Sequence, residues 1–117
     1  MGYLTTHVLD TSQGLPGKGI RIEVYRLEGE TRTLIKEVVT NSDGRCDEPI
    51  MEGDAFTVGQ YELVFHAGDY FRAQGSDMSE PAFLDVIPLR FGVADASQHY
   101  HVPLLATPYS YSTYRGS

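Results

Sequence analysis

Apolar and polar residues alternate along several short stretches of the chain, which is the pattern of strands that bury one face. Residues 20–27 show it most clearly, because Ile20, Ile22 and Val24 alternate with polar or charged neighbours. Residues 55–58 are a shorter apolar stretch and are also predicted as a strand. Further strands, rich in β-branched or aromatic residues, are predicted at 4–9, 33–40, 60–66, 83–93, 109–115 and from His99 onward.

Turn-forming residues separate these stretches. Residues 41–44 are Asn-Ser-Asp-Gly, types that tolerate positive φ and therefore favour a tight turn. Residues 67–74 form the one plausible helix, with Gly75 as its stop signal. Pro88 lies inside the stretch 83–93 and indicates an edge strand or a bulge, because proline cannot donate a ladder hydrogen bond.

Seven or eight strands at regular spacing, with one short helix, predict an all-β fold, an antiparallel β-sandwich. A closed barrel is the alternative that the same pattern allows. The chain has 117 residues, which fits a single domain over residues 1–117. A domain of this size buries roughly two-thirds of the surface of its unfolded chain, which is enough for one core.

The composition narrows the classes of partner. The formal net charge is −7, and phosphate binding needs a basic surface, so a nucleic-acid partner and an anionic membrane surface are both disfavoured. No apolar run approaches the roughly 20 residues of a membrane span. The first residues lack a basic region followed by an apolar one, so a cytoplasmic protein is expected unless an export signal is removed upstream of this numbering.

The one cysteine and a search for common sequence motifs give little information about function. Cys46 is the one cysteine, so no disulfide can form within the chain and a reduced thiol is expected. The sequence contains no P-loop, no Rossmann motif and no Gly-x-Ser-x-Gly motif. A function that depends on one of these motifs is therefore not predicted.

Two histidines, His99 and His101, are the first candidates for chemistry. Because side chains i and i+2 of a strand point to the same face, both imidazoles are predicted to lie on one face. Imidazoles titrate near neutral pH and therefore suit proton transfer. His7, in the first predicted strand, and Arg45, after the Asn-Ser-Asp-Gly turn, are further candidates. Taken alone, His7 is better explained as a structural histidine and Arg45 as a solvated loop arginine, whereas two histidines on one strand face raise the odds of a site.

Two kinds of site fit these residues. One is a zinc site in which His7, His99 and His101 bind the metal together with a water. The other is metal-free general acid–base chemistry, in which a neutral imidazole takes a proton from water. A nearby arginine would then hold an anionic substrate or stabilise an oxyanion. His66, at the end of a predicted strand, is interpreted as structural.

Three parts of the chain resemble the motifs of one known family. Residues 4–12 (LTTHVLDTS) resemble the N-terminal motif of the 5-hydroxyisourate hydrolases, which are transthyretin-related proteins. Residues 40–45 (TNSDGR) resemble their central motif, and residues 99–105 (HYHVPLL) with 111–117 (YSTYRGS) resemble their C-terminal motif. The Tyr-Arg-Gly-Ser segment is the specific element, because it separates the hydrolases from true transthyretins, which share the fold but carry hormone.

The resemblance implies a transthyretin-like sandwich of two four-stranded sheets with one short helix, assembled as a homotetramer of two dimers. It also implies a site in a cleft between the dimers, and it implies neither a metal nor another cofactor. By motif, the catalytic residues are His7, Arg45 and His101. The substrate-binding residues are the terminal ones and the adjacent histidine, namely Tyr114, Arg115, Gly116, Ser117 and His99.

The activity that the resemblance implies is hydrolysis of 5-hydroxyisourate to 2-oxo-4-hydroxy-4-carboxy-5-ureidoimidazoline, a step of urate degradation. His7 and His101 are expected to activate water and shuttle its proton, and Arg45 to bind a substrate oxygen or orient a histidine. Nearby arginines disfavour imidazolium, so the pKa of the catalytic histidine is expected below about 6.5. A transthyretin-like carrier of a small aromatic ligand is the alternative, because a shared fold does not fix function.

Overall fold

Nine strands and one short α-helix make up the computed structural model, which describes residues 2–116. A single 3-10 turn, Gly53–Ala55, lies between the fifth and sixth of these strands. In chain order the elements are β1 (Tyr3–Asp10), β2 (Leu15–Pro16), β3 (Arg21–Glu28), β4 (Thr31–Val39), β5 (Met51–Glu52), β6 (Gly59–His66), α1 (Ala67–Ala73), β7 (Val86–Val93), β8 (His99–Ala106) and β9 (Tyr111–Thr113).

The strands form two sheets that face each other across one core. The first sheet has the order β2–β1–β8–β9, with β5 paired to the beginning of β1, and the second has the order β4–β3–β6–β7. The predicted sandwich is therefore confirmed, and the barrel alternative is not formed. The second sheet has the predicted four strands, whereas the first has a fifth, because the two-residue β5 also pairs with β1.

Strands β1 and β8 run parallel, while every other strand pair described within residues 2–116 is antiparallel. An alternating pattern shows which side chains share a face but carries no information about strand direction, so the parallel pair was not predictable from it. In the parallel register, Thr5 lies opposite His101 and His7 lies opposite Pro103. The first strand is thereby placed beside the histidine strand.

The core is filled by alternate residues of the two sheets. In β1, Leu4 and Val8 point inward and are almost fully buried. The neighbouring strand β8 adds Val102 and Leu104. The facing strands β3, β6 and β7 contribute further buried side chains: Ile22, Val24, Leu63, Phe65, Ile87 and Leu89. Fully burying an apolar side chain of this size contributes roughly 1.5–3 kcal/mol to folding. Because alternate residues point to opposite faces, the odd-numbered residues of β1 and β8 lie on the outer face of the first sheet.

Six of the predicted strands and the helix are confirmed, with ends that differ by a few residues at most. Pro88 lies in β7, which is an edge strand of its sheet, as its lack of an N–H predicted.

Helix α1 begins directly after β6, and its Tyr70 hydroxyl donates a hydrogen bond of 2.9 Å to buried Asp10 at the end of β1. No helix within residues 2–116 is long and apolar enough to cross a membrane.

The strand predicted at residues 55–58 is wrong. The chain there leaves the 3-10 turn at Ala55, and the backbone of Thr57 bonds to a side chain instead of a neighbouring strand. Its N–H donates to the Tyr61 hydroxyl at 3.2 Å, and its carbonyl accepts from the same hydroxyl at 2.7 Å. The tyrosine thus satisfies backbone groups that a strand would have paired.

The strand predicted at residues 109–115 is shorter than expected and is limited to β9. The Thr107 hydroxyl accepts the N–H groups of Tyr109 and Ser110 at 3.1 and 2.9 Å, which makes a side-chain turn before β9 begins. After β9, the strand pairing described up to residue 116 is reduced to an isolated bridge between Gly116 and His101. The end of the predicted strand is therefore free to fold over the face of β8.

Candidate active site

The predicted Asn-Ser-Asp-Gly turn forms, and it places Arg45 beside β1. Asn41 Oδ1 accepts the Arg45 N–H at 3.2 Å, and Gly44 adopts φ +77°, a value that glycine takes without strain. The Gly44 carbonyl accepts the Val8 N–H at 2.8 Å. Arg45 consequently forms a backbone bridge with His7.

The C-terminal segment closes on β8 from another side. The Gly116 N–H donates to the His101 carbonyl at 2.7 Å. A Cβ atom on Gly116 would lie 2.6 Å from His101 Cδ2, so the absence of a side chain permits this approach. The Arg115 guanidinium lies 4.1 Å from the centroid of the Tyr100 ring and donates to Gln98 Oε1 at 2.9 Å. Arg115 is thereby fixed next to the histidine strand.

A single hydroxyl joins the two histidines of β8. Thr5 Oγ1 lies 2.8 Å from His99 Nε2 and 2.8 Å from His101 Nδ1. The predicted common face of the two imidazoles is therefore confirmed, although their ring centroids are 6.2 Å apart. The Tyr3 ring stacks on His99 with a centroid distance of 4.0 Å and an angle of 18° between the planes.

These segments border an open cleft of about 1090 Å³ on the outer face of the first sheet. The cleft brings together Arg45, His99, His101 and residues 114–116 from three separate parts of the chain. His7 lies beside Arg45 but does not itself line the cleft. Ser117, the remaining residue of the predicted substrate-binding set, lies outside the described residues.

Burial and positive charge lower the pKa of both His7 and His101. The pKa of His101 is lowered from its ordinary value of 6.5, first by burial and then by Arg45, His99 and His7. The pKa of His7 is also lowered, again by burial first and by Arg45 second, and Asp43 offsets part of this effect. The predicted direction is confirmed. The larger cause, however, is the loss of hydration rather than the arginine charge.

The cysteine and the acidic residues of the cleft wall follow Arg45 directly. Cys46 is half-buried, and burial together with the neighbouring Asp47 carboxylate raises the pKa of its thiol. A thiol of this kind is a weak nucleophile at neutral pH, because the thiolate is the reactive form. The imidazoles are therefore the better proton acceptors of this cleft.

The zinc alternative lacks a ready set of ligands. Within residues 2–116, no group of three or more His, Cys, Asp or Glu side chains is arranged to hold a metal ion. One ring nitrogen each of His99 and His101 is already bonded to Thr5. The arrangement of the donors thus suits proton transfer along a hydrogen-bonded row better than metal coordination.

Sequence reasoning missed three contributors: Tyr3, Thr5 and Gln98. Tyr3 and Thr5 share the face of His7 by the i, i+2 rule, so the alternation in β1 was an available signal. Their contacts with His99 and His101 depend on the parallel pairing of β1 with β8, which the pattern does not reveal. Gln98 gave no signal, because a turn glutamine is ordinary.

The chain is similar to proteins of one family along almost its whole length. Residues 4–116 match the HIUase/Transthyretin family. The protein named 5-hydroxyisourate hydrolase 2 of Rhizobium meliloti is 66% identical over 116 residues, which are 99% of this chain and 97% of that protein. The 5-hydroxyisourate hydrolase of Pseudomonas aeruginosa is 62% identical over 100% of this chain and 93% of its own.

Solved structures agree on the fold. An (S)-allantoin synthase matches with a TM-score of 0.94 and 52% identity over 99% of this chain, which spans only 44% of that chain. The 5-hydroxyisourate hydrolase of Klebsiella pneumoniae matches with a TM-score of 0.81 and 31% identity over 100% of both chains. Sea bream transthyretin in complex with thyroxine matches with a TM-score of 0.84 and 28% identity over 97% of this chain and 93% of its own.

Proposed function

The chain belongs to the HIUase/Transthyretin family, and we propose that it hydrolyses 5-hydroxyisourate to 2-oxo-4-hydroxy-4-carboxy-5-ureidoimidazoline. Its relatives named as hydrolases of this substrate align with nearly all of its length. The observation that carries the proposal is the convergence of His101, Arg45 and Arg115, from three distant segments, on one cleft.

The reaction opens a ring amide by attack of water, so it needs a base, a group that polarises the carbonyl and contacts that hold a planar heterocycle. His101 is the proposed base, because its lowered pKa favours the neutral imidazole and it borders the cleft. It takes one proton as the water oxygen bonds to the carbonyl carbon, and it returns one to the ring nitrogen as the C–N bond breaks. Arg45 is proposed to stabilise the charge that develops on the carbonyl oxygen.

The remaining predicted residues have supporting roles in this proposal. His7 lies against Arg45 and is proposed to share in activating the water. Tyr114 and Arg115, which border the cleft, are proposed to hold the far edge of the substrate. Gly116 admits the His101 ring at close range, and Ser117 keeps its predicted role as a substrate contact.

The test is a direct assay. 5-Hydroxyisourate is unstable, so it is generated in place from urate with urate oxidase, and its ultraviolet absorbance is followed. With the protein present, the absorbance should decay well above the spontaneous rate. Decay at the spontaneous rate over a range of protein concentrations would contradict the proposal.

We further propose that the active form is a homotetramer of two dimers. The edge strand β9 carries no lysine, and the tyrosines of this region, Tyr109, Tyr111 and Tyr114, are 45–61% exposed. An uncovered edge of this kind favours pairing with a second copy. Two such dimers would then meet across the outer face that carries His101. Light scattering on an active sample tests this, and a fully active monomer of about 13.0 kDa would contradict it.

The carrier alternative predicts binding without turnover. Tyr114 and Arg115 stand at the cleft and would narrow a channel meant for an iodinated phenol. Calorimetry with such a phenol, run beside the hydrolysis assay, separates the two functions. Tight binding with no hydrolysis would favour the carrier.

A further inference from the structure

Thr5 occupies a position that the proposed hydrolysis does not yet use. Its hydroxyl is 2.8 Å from a ring nitrogen of His99 and 2.8 Å from a ring nitrogen of His101. The register of the parallel pair fixes it there, because Thr5 lies directly opposite His101. Both imidazoles are half-buried, and their centroids are too far apart for a direct bond between the rings.

A hydroxyl has one proton, so it can donate to one of the two rings and must accept from the other. If it donates to His101 Nδ1, His99 carries its proton on Nε2, and neutral His101 must carry its own on Nε2. If it donates to His99 Nε2, both rings carry their protons on Nδ1. The two neutral imidazoles are therefore restricted to matching tautomers.

We propose that the Thr5 hydroxyl couples the tautomers of His99 and His101 and relays a proton between them during hydrolysis. Thr5 is then a positioning residue, and His99 is the proton acceptor that serves His101. The relay rests on the function proposed above, whereas the coupling of the tautomers does not.

The relay is balanced over one turnover. His101 begins with its proton on Nδ1, so its Nε2 lone pair takes the proton of the attacking water. The Nδ1 proton then passes to Thr5 Oγ1 while the hydroxyl proton passes to His99 Nε2, which leaves His101 neutral and His99 positively charged. When Nε2 of His101 protonates the leaving nitrogen, the relay runs backward and restores the starting state.

The surroundings of the cleft favour His101 as the base and His99 as the acceptor of its proton. An imidazolium at His101 is disfavoured by burial and by Arg45, and the relay moves the positive charge off that ring. The stacked Tyr3 ring covers one face of His99 and fixes its orientation. The charged and titratable groups that face the pair are Tyr3, His7, Arg45, Cys46, Asp47, Glu48, Tyr114 and Arg115.

Substitutions at Thr5 separate the hydroxyl from the shape of the side chain. Thr5→Val keeps the shape and removes the hydroxyl, and we expect kcat to fall about five- to tenfold, as for one net hydrogen bond, with little change in KM. Thr5→Ser restores the hydroxyl and should recover most of this loss. Thr33→Val removes an exposed hydroxyl from β4 of the other sheet and serves as the matched control, with wild-type kcat.

His99→Phe gives a second, independent variant. It keeps a ring to stack on Tyr3 but removes the nitrogen that faces Thr5. Its loss of kcat should be similar to that of Thr5→Val. The double variant should lose no more than the larger single loss, because both changes interrupt the same relay. Losses that multiply would overturn the relay.

The coupling itself is measured without substrate, by nitrogen NMR of histidine-labelled protein, because ring shifts distinguish the two neutral tautomers. In the wild type, His99 and His101 should show equal tautomer fractions at every pH where both are neutral. In Thr5→Val the fractions should differ. Unequal fractions in the wild type would overturn the coupling, and wild-type kcat in folded Thr5→Val would overturn the relay. If the wild type hydrolyses no 5-hydroxyisourate, the proposed function and the relay both fail, whereas the NMR result still decides the coupling.

Discussion

His66 and His101 lie on the outer faces of the two sheets, and their surroundings differ in charge. His66 is bonded through Nε2 to the Glu23 carboxylate at 3.1 Å and through Nδ1 to Arg21 at 3.3 Å. Within residues 2–116, the ring of His101 has no carboxylate bonded to it, and the shift of its pKa comes from burial and positive neighbours.

This difference separates a structural histidine from a base. At His66, the Arg21 guanidinium donates to Nδ1 and the Nε2–H donates to the Glu23 carboxylate, so neither ring nitrogen is left to accept a proton from water. At His101, by contrast, one nitrogen is held by a neutral hydroxyl and the other is left for the cleft. The histidine of the second sheet therefore ties strands together, and the histidine of the first sheet is available for chemistry.

The largest expected effect comes from exchanging each histidine for alanine. Loss of one positioned base typically lowers the rate by about 10²–10⁴-fold, so His101→Ala should lose activity by this factor. His66→Ala should keep the wild-type rate, because His66 lies on the other sheet. Initial rates with enzymatically generated substrate measure both. Full activity in His101→Ala would remove His101 from the mechanism.

A smaller loss of activity is expected when His101 is retained but its ring is displaced. Gly116→Ala places a methyl group 2.6 Å from His101 Cδ2, so the ring or the C-terminal segment must shift. A displacement of about 1 Å at a reacting group can cost about 10²-fold, and we expect a loss of kcat between tenfold and this value.

Gly92→Ala is the matched control for Gly116→Ala. The nearest atom to a Cβ there is Gln60 Nε2 at 3.9 Å, which is ordinary contact, so activity should not change. Equal activities of the two variants would show that the close approach of Gly116 does not position His101.

The pH profile tests the charge environment rather than the rate. A base must be unprotonated, and its pKa is lowered, so activity should rise with pH at values below 6.5 and level off above them. Arg45→Ala removes the second cause of this shift, so the rising limb should move toward 6.5, whatever the plateau rate. Arg21→Ala, next to His66, should leave the limb in place. A flat profile from about pH 5 to 8, after correction for spontaneous decay, would contradict a histidine base.

The smallest effect concerns the folding stability that the contact between His66 and Glu23 contributes. The hydrogen bond from His66 holds the pKa of Glu23 below its usual 4.5, so the pair stabilises the fold above pH 4.5 and loses this effect as the pH falls through the lowered value. Glu23→Gln should therefore lower the free energy of unfolding by about 0.2–1 kcal/mol at pH 7. Urea unfolding at pH 7 and at successively lower pH measures the difference, which should shrink as the pH falls through the lowered pKa of Glu23.

Much of the fold and part of the site followed from local patterns. The alternation in β3 and the Asn-Ser-Asp-Gly turn depend on neighbouring residues alone, so the sequence was sufficient to predict them. The common face of His99 and His101 followed from the same rule. The grouping of His7, Arg45 and the C-terminal segment came instead from the resemblance to a family.

The remaining features depend on contacts between distant segments. Residues 55–58 have strand-like composition, but the Tyr61 hydroxyl binds the backbone there and prevents pairing. The contacts of Thr5 required knowledge that β1 and β8 are parallel neighbours, which no periodicity encodes. The dominant cause of the low histidine pKa values, burial, likewise depends on how the loops pack around the cleft.

The parallel pairing of β1 with β8 determines when hydrolytic activity appears during folding. The hydrogen bond between Thr5 and His99 joins residues that are 94 positions apart. Contacts of such separation carry a large loop-closure cost and form slowly relative to local hairpins such as β3–β4. A refolding chain should therefore gain sheet signal in circular dichroism before it gains turnover. Any folding intermediate in which β1 and β8 have not yet paired should show no hydrolysis.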